Sequence, residues 1–156
     1  TSSGIQQTKL KKLLKKLQGY DEIIIDNNPS INLCTTNALC ACDRLIIPAD
    51  LEKGALKGIE LTLQHSQEIL ENIDGANFEI RILPTKIQRN KIDTETLEEL
   101  KTAYGSMVYQ TNIRYQAAPI KDSSMKGRML INDMKSRSKV AQDYRDLVAE
   151  VLQEEK

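Results

Sequence analysis

The residues best suited to chemistry lie between Tyr20 and Ser30, where the run Ile23-Ile24-Ile25 stops abruptly at Asp26 and is followed by Asn27, Asn28 and Pro29. Three consecutive β-branched residues are too apolar for a strand with one wet face. They suit a short parallel strand covered by helices on both sides. Asn-Asn-Pro favours a turn directly after it. An acid at the carboxyl end of a buried parallel strand sits where open α/β sheets bind their ligands. In phosphate-transfer sites such an aspartate helps hold the Mg²⁺ that bridges the phosphates, often through water. The same pattern also fits an acidic turn residue that follows a core strand.

Other chemistries find less support. A phosphate-binding loop needs glycines, so that backbone amides can approach the phosphates, and then a lysine and a hydroxyl. None of the seven glycines is followed by lysine, and neither G-x-x-x-x-G-K-[ST] nor G-x-G-x-x-G occurs. Cys34, Cys40 and Cys42 form an odd set in one short segment, which argues against a disulfide framework. Their spacing is not a zinc pattern and no nearby histidine completes four ligands, so buried thiols packing a helix are expected. His65, the single histidine, falls inside a long helical pattern without an adjacent nucleophile, which points to a surface or packing role.

The whole-chain balance narrows the partners. With 22 basic and 22 acidic side chains the formal charge is zero, so a nucleic-acid surface would have to be a local patch. The 156 residues suffice for one domain with a real core. No apolar run approaches a membrane span and the amino terminus has no signal-peptide stretch, so the expected compartment is the cytoplasm.

The elements that would position Asp26 follow from periodicity. Leu10, Leu13, Leu14 and Leu17 repeat at helical spacing from Thr8 to Leu17, with Lys9, Lys11, Lys12, Lys15 and Lys16 between them and Gly19 as a stop. Such a basic amphipathic helix can lie on a membrane or on nucleic acid, or pack on a sheet by its leucines. Leu33 to Cys42 reads as a short helix begun near Ser30 or Asn32. Leu45-Ile46-Ile47 is a second strand ended by Pro48, and Ala55 to Asn72 a long amphipathic helix. Phe78 to Leu83 is a third strand closed by Pro84, followed by a polar loop with Lys86, Arg89 and Lys91. A helix capped by Asp93 or Thr94 runs to Tyr104 before Gly105. Met107 to Thr111 fits a short strand and Asn112 to Ser124 an irregular segment. Met125 to Asp133 is ambiguous, and Ser136 to Leu152 is a final helix. The alternation predicts an α/β fold of βαβ units around a parallel sheet.

Three stretches, in order, resemble the ParA family of partition ATPases: Tyr20 to Ser30; Thr35-Thr36-Asn37-Ala38-Leu39; and Ala41-Cys42-Asp43-Arg44-Leu45-Ile46-Ile47-Pro48. That family carries YD-x-IIID-x-PPS, a helix with N-A-L, and then A-D-x-x-(I/L)-I-P. The likeness continues at Ala55 to Ile59, Ile82 to Lys86, Thr94 to Leu100 and Ser136 to Tyr144, covering about 20 to 151. It implies a P-loop NTPase-like, mostly parallel sheet flanked by helices, with residues 1–156 as the carboxyl-terminal portion of one ATPase domain, beginning after the P-loop.

By the same resemblance, Asp26 is the Walker B acid, acting on Mg²⁺ through its water shell. Pro29 is the second proline of the family's Asp-x-Pro-Pro, with Asn28 in place of the first. Thr85 and Lys86, in the loop from Pro84 to Arg89, lie against the adenine. Ile113 and Arg114, in the segment to Gln116, approach the base from the other side, and Lys121 stands where many members have glutamate. The family implies ATP and Mg²⁺ as ligands, homodimerisation on ATP binding, non-specific DNA binding, a ParB-type partner, no membrane, and nucleoid association of an otherwise cytoplasmic protein. The basic residues Lys121, Lys126, Arg128, Lys135, Arg137, Lys139 and Arg145 offer the DNA surface, although Asp133, Asp143 and Asp146 lie among them, which equally fits a mixed-charge helix face. Without a P-loop the 156-residue chain itself is expected to be inactive. Two alternatives stay open at this stage. One is a non-catalytic regulatory or interaction module of the same fold. The other is a MinD-like membrane-associated ATPase, which the acidic ending Gln153-Glu154-Glu155-Lys156 disfavours because anionic lipid would repel it.

Overall fold

The computed structural model describes residues 6–28, 30–51, 55–127, 129–130 and 138–154. Of the residues singled out above, Pro29, Arg128, Asp133, Lys135, Ser136, Arg137, Glu155 and Lys156 lie outside those described. The chain divides into two compact units, one formed by 1–45 with 59–80, the other by 46–58 with 81–156.

In the first unit, the lysine–leucine segment forms helix α1 (Lys9–Leu14), shorter than the expected span, and then a turn that reaches Gly19 at φ 81°. Helix α2 (Leu33–Ala41) starts where expected. The Asn32 side chain accepts from the amides of Cys34 and Thr35, two donors that have no partner within the helix. Asn37 then ties the two helices together, accepting from the Leu10 amide at 3.3 Å and donating to the Gln6 carbonyl at 2.8 Å.

The strand expected at Ile23–Ile25 is not formed. Those residues belong to no strand, and Ile24 is 94% exposed. A run that is apolar on both faces is stable as a strand only with hydrogen-bonded neighbours and helices over it, and among the described residues no strand lies beside it.

Strands β1 (Arg44–Asp50) and β2 (Glu79–Thr85) are parallel neighbours joined by helix α3 (Ala55–Asn72), which makes the expected βαβ unit. Both run through the prolines that were read as their ends, Pro48 and Pro84. Proline lacks a donor yet keeps its carbonyl, and the Pro84 carbonyl is used: it accepts from the Ile113 amide at 2.9 Å. Leu39, Cys40, Ile69 and Phe78 form the core of the first unit, with Leu45, Leu70 and Ile73 against them.

In the second unit, the cap of helix α4 (Lys91–Tyr104) is Asn90, three residues before Asp93 and four before Thr94, the two expected caps, and its side chain accepts from the Asp93 amide. Gly105, at φ 52°, ends it and opens a 3₁₀ turn, Gly105–Met107. Residues 108–115 then run parallel to β2 and its continuation. Tyr109 donates to Ile82, Ile113 to Pro84, Ile87 to Ile113 and Tyr115 to Ile87, at 2.9–3.0 Å. The bridges pair Ile82 with Val108 and Ile87 with Arg114, so the expected strand at Met107–Thr111 is present only as isolated bridges. Helix α5 (Ala117–Met125) occupies part of the stretch read as irregular. Its Pro119 falls in the first turn, where amides lack intrahelical partners anyway. Helix α6 (Lys139–Glu154) closes the unit, and Leu83, Tyr109, Ile113 and Val140 form the core beneath it. Each such fully buried large apolar side chain contributes about 1.5–3 kcal/mol.

Candidate nucleotide-binding edge

The carboxyl ends of β1 and β2 carry the chemistry of the second unit. Asp50 is the last residue of β1, and Thr85, half-buried, is the last of β2. Lys86 follows with φ 57°; among the described residues it is the one non-glycine residue in the left-handed region. Such a conformation costs about 1 kcal/mol or more and persists where surrounding contacts impose it. Here the Lys86 Nζ donates to Asp50 Oδ2 at 2.5 Å, which joins the two strand ends. The left-handed turn aims the chain from β2 into the polar loop. There Ile87, Gln88, Arg89, Asn90 and Lys91 face Thr94 and Glu95 of α4 across an open depression of about 670 Å³.

The segment expected on the other side of the base is held firmly against this loop. Ile113 is buried, and its carbonyl accepts from the Ile87 amide. Arg114 is fixed by Asp143 of α6: Nε donates to Oδ2 at 2.7 Å, NH2 to Oδ1 at 2.6 Å, and the Arg114 amide to Oδ2 at 3.0 Å. The hydrogen bonds that Arg114 donates to the Asp143 carboxylate raise the guanidinium pKa above its ordinary value, so the group stays charged at every accessible pH. Gln116 completes the clamp by accepting from the Val140 amide at 2.9 Å in the first turn of α6.

Farther along α6, Glu150 accepts from the amides of Gln110 and Thr111 at 2.7 and 2.9 Å. Burial works to raise its pKa, but hydrogen bonds from Thr111 and Gln110, with the Arg81 charge, leave it below the ordinary glutamate value. The Arg81 guanidinium also lies 4.8 Å from the Tyr109 ring centroid, donates to the Ser106 carbonyl and pairs with Glu154.

Asp26 belongs to the first unit. It is exposed and outside any helix or strand, and the nearby Asn28 side chain accepts from the Ser30 amide at 3.2 Å. Among the described residues no group of three acids, histidines or cysteines could hold a metal. A lone accessible carboxylate still fits Mg²⁺ that keeps its waters and is held mainly by phosphates, since such sites use one or two carboxylates. Thr85, Lys86, Ile113 and Arg114 are brought together in the second unit, whereas the placement of Asp26 is fixed within the first.

Of the basic residues proposed to face DNA, Lys126 is paired with Asp122 at 2.7 Å, and Lys121, Lys139 and Arg145 are exposed. The cysteines divide as well: Cys40 is buried and Cys42 half-buried, but Cys34 is exposed, contrary to the expectation of three packing thiols. His65 is half-buried on α3 with Nδ1 3.8 Å from Glu68, in keeping with a packing role. No helix among the described residues is long and apolar enough to cross a membrane.

Two residues that build the edge, Asp50 and Asp143, have no role in the sequence reading, and Gln116 is placed there only as the end of the base-side segment, without its link to α6. Asp50 was detectable, since it follows an apolar strand just as Asp26 follows Ile23–Ile25. Asp143 and Gln116 offered no such signal, because their partners are 29 and 24 residues away.

A family profile described as an AAA domain matches residues 2–82. The sporulation initiation inhibitor protein Soj of Bacillus subtilis is 32% identical over 152 residues, which is 94% of this chain and 58% of that protein. The chain belongs to the ParA family of partition ATPases. It spans about half the length of the curated ParA and Soj relatives it matches. Two solved structures share its P-loop NTPase-like fold. A protein described as a plasmid partition protein of Borrelia burgdorferi, bound to AMPPNP, has a TM-score of 0.76 at 23% identity, covering 95% of this chain and 56% of that one. Cobyrinic acid a,c-diamide synthase of Mycobacterium smegmatis, with a bound ATP analogue and magnesium, has a TM-score of 0.77 at 24% identity, covering 97% and 55%. Placed within the ParA family, the chain's α/β architecture is the expected one, and its departure at Ile23–Ile25 is local.

Proposed function

We propose that this chain supplies the base-binding edge and the Walker B acid of a ParA-type ATPase that works in plasmid or chromosome partitioning. The observation that carries the reading is the pairing of Ile87 with Arg114. It lays the Thr85-Lys86 loop and the Ile113-Arg114 segment side by side at the carboxyl end of a parallel strand, where open α/β sheets bind their ligands. Thr85 and Lys86 face one side of the adenine, and Ile113 and Arg114 the other. Asp26 would hold Mg²⁺ through one of the ion's waters. Mg²⁺, when bound, neutralises charge developing on the phosphates. Hydrolysis is in-line attack of water on the γ-phosphate, with lysines and backbone amides of a P-loop stabilising the transition state. This sequence contains no such motif, so the 156-residue chain alone does not turn over ATP.

ATP binding closes two copies into a sandwich dimer that binds DNA without sequence preference, and a ParB-type partner stimulates hydrolysis and release. The ATP-bound form is then nucleoid-associated within the cytoplasm. Family membership supports this cycle, and the strand-end geometry supports the site. Photolabelling of the gene product that carries this chain with 8-azido-ATP and Mg²⁺, followed by peptide mapping, tests the site. Label on the peptides holding Thr85-Lys86 or Ile113-Arg114 is the expected result. Label confined to other peptides would sink the assignment.

A further inference from the structure

We infer that α1 and the turn after it form a docking surface for the phosphate backbone of duplex DNA. The inference rests on the DNA-binding reading above and assigns it a place far in sequence from the carboxyl-terminal basic residues. Lys9, Lys11, Lys12, Lys15 and Lys16 crowd into eight positions without an acid among them, in a chain whose formal charge is zero. Lys9, Lys12, Lys15 and Lys16 are exposed, and no acid pairs with them among the described residues. Only Lys11 is committed, donating to the Gly75 carbonyl at 2.7 Å. Among the carboxyl-terminal candidates Lys126 spends its charge on Asp122, while Lys121 and Lys139 are exposed on helices that also carry Asp122, Asp143 and Asp146. The concentrated, uncompensated positive charge of the first unit is therefore at α1.

Its shape favours a phosphate strand over a lipid surface. Lys9 to Lys16 extend over about 10 Å at helical rise, which matches roughly three successive phosphates of one strand. The helix is anchored to α2 through the Leu10 amide and Asn37, and Leu10 and Leu14 are half-buried. Only Leu13 and Leu17 point outward, which is a small apolar face to bury in the headgroup region. Ammonium groups on flexible stems bind phosphate as point charges and read no sequence, so the contact is non-specific.

The test is fluorescence anisotropy of a labelled 30-base-pair duplex of arbitrary sequence with the gene product that carries this chain, in ATP and Mg²⁺, from 50 to 200 mM KCl. Three phosphate contacts predict an affinity loss of about 40-fold over that range. Replacing Lys9, Lys12, Lys15 and Lys16 together by alanine, the best helix former, should abolish most of the 50 mM affinity and flatten the salt slope while leaving the circular dichroism unchanged. Lys57→Ala, at an exposed lysine of α3 outside both candidate surfaces, should leave both within about twofold. A quadruple variant that binds like the parent would overturn the α1 assignment while leaving DNA binding itself standing. A parent chain that binds no DNA would overturn both. Lysine-dependent capture on phosphatidylserine vesicles without DNA binding would hand the surface to lipid and overturn the inference.

Discussion

Arg114 grips Asp143 through two guanidinium nitrogens and its own backbone amide, so one buried carboxylate takes three hydrogen bonds from a single residue. Asp143 keeps only 5% of its side chain exposed, whereas Arg114 keeps 39%. The pair fixes the segment beside Ile87 to helix α6, and that segment is one wall of the candidate nucleotide edge.

Removing either partner should therefore be costly. Arg114→Ala strands a buried carboxylate, and a loss of about 2–3 kcal/mol is expected, below the full range for a wholly buried pair because the guanidinium is partly wet. Urea unfolding of Arg114→Ala, Asp143→Ala and the double variant should give a coupling energy of at least about 1 kcal/mol. Additive losses would show that the two residues act independently.

Glu150 predicts an acid-side dependence. Its folded pKa lies below the ordinary value of 4.5, so the unfolded chain takes up its proton first as pH falls. The stabilisation from this carboxylate is complete above that value and is lost as pH drops through the lower, folded one. Glu150→Gln should flatten the fall of melting temperature below about pH 4.5 and cost about 1 kcal/mol at neutral pH. An unchanged acid limb in the variant would contradict the two-amide contact.

The cysteines give an alkaline counterpart. Burial pushes the Cys42 thiol up to about 11, and its own backbone hydrogen bond offsets that only in part. A raised folded pKa means that stability is complete below the ordinary value of 9.0 and declines as pH rises towards 11. Cys42→Ala should lessen that decline. In native protein, iodoacetamide followed by mass spectrometry should mark Cys34 well before Cys40 or Cys42. Equal labelling of all three would show that the first core opens readily.

The start of α4 offers a local test. Asn90→Ala should cost about 1 kcal/mol, and Asn90→Asp or Asn90→Ser should recover most of it. Equivalent stability of all three variants would place the cap elsewhere.

The contrast between local and distant partners explains what could be read from the sequence. The bounds of helix α3 are legible because its apolar spacing and the polar stretch before it agree, whereas the start of α2 is legible only as Ser30 or Asn32, of which the fold uses Asn32. The cap of α4 was misplaced because Asn90, Asp93 and Thr94 are all competent and only the fold chooses among them. Pro48 and Pro84 were read as strand ends from their missing donor, yet each strand continues past its proline. Ile23–Ile25 looks like a core strand by composition, but pairing is a property of neighbours, which composition does not contain. At the site, Thr85 and Lys86 were found through resemblance. Their setting was not, because the left-handed turn at Lys86 and its link to Asp50 depend on two strand ends 36 residues apart.

The central claim is an ATP-driven partition activity that needs Asp26. Mg²⁺-dependent phosphate release should be measured for the gene product carrying this chain, with DNA present, beside its Asp26→Ala variant and the 156-residue chain alone. The account predicts turnover in the first that drops at least about 100-fold on Asp26→Ala, a loss typical of removing one electrostatic contributor, and none above buffer for the isolated chain. Robust hydrolysis by the isolated chain, or full activity in Asp26→Ala, would contradict it.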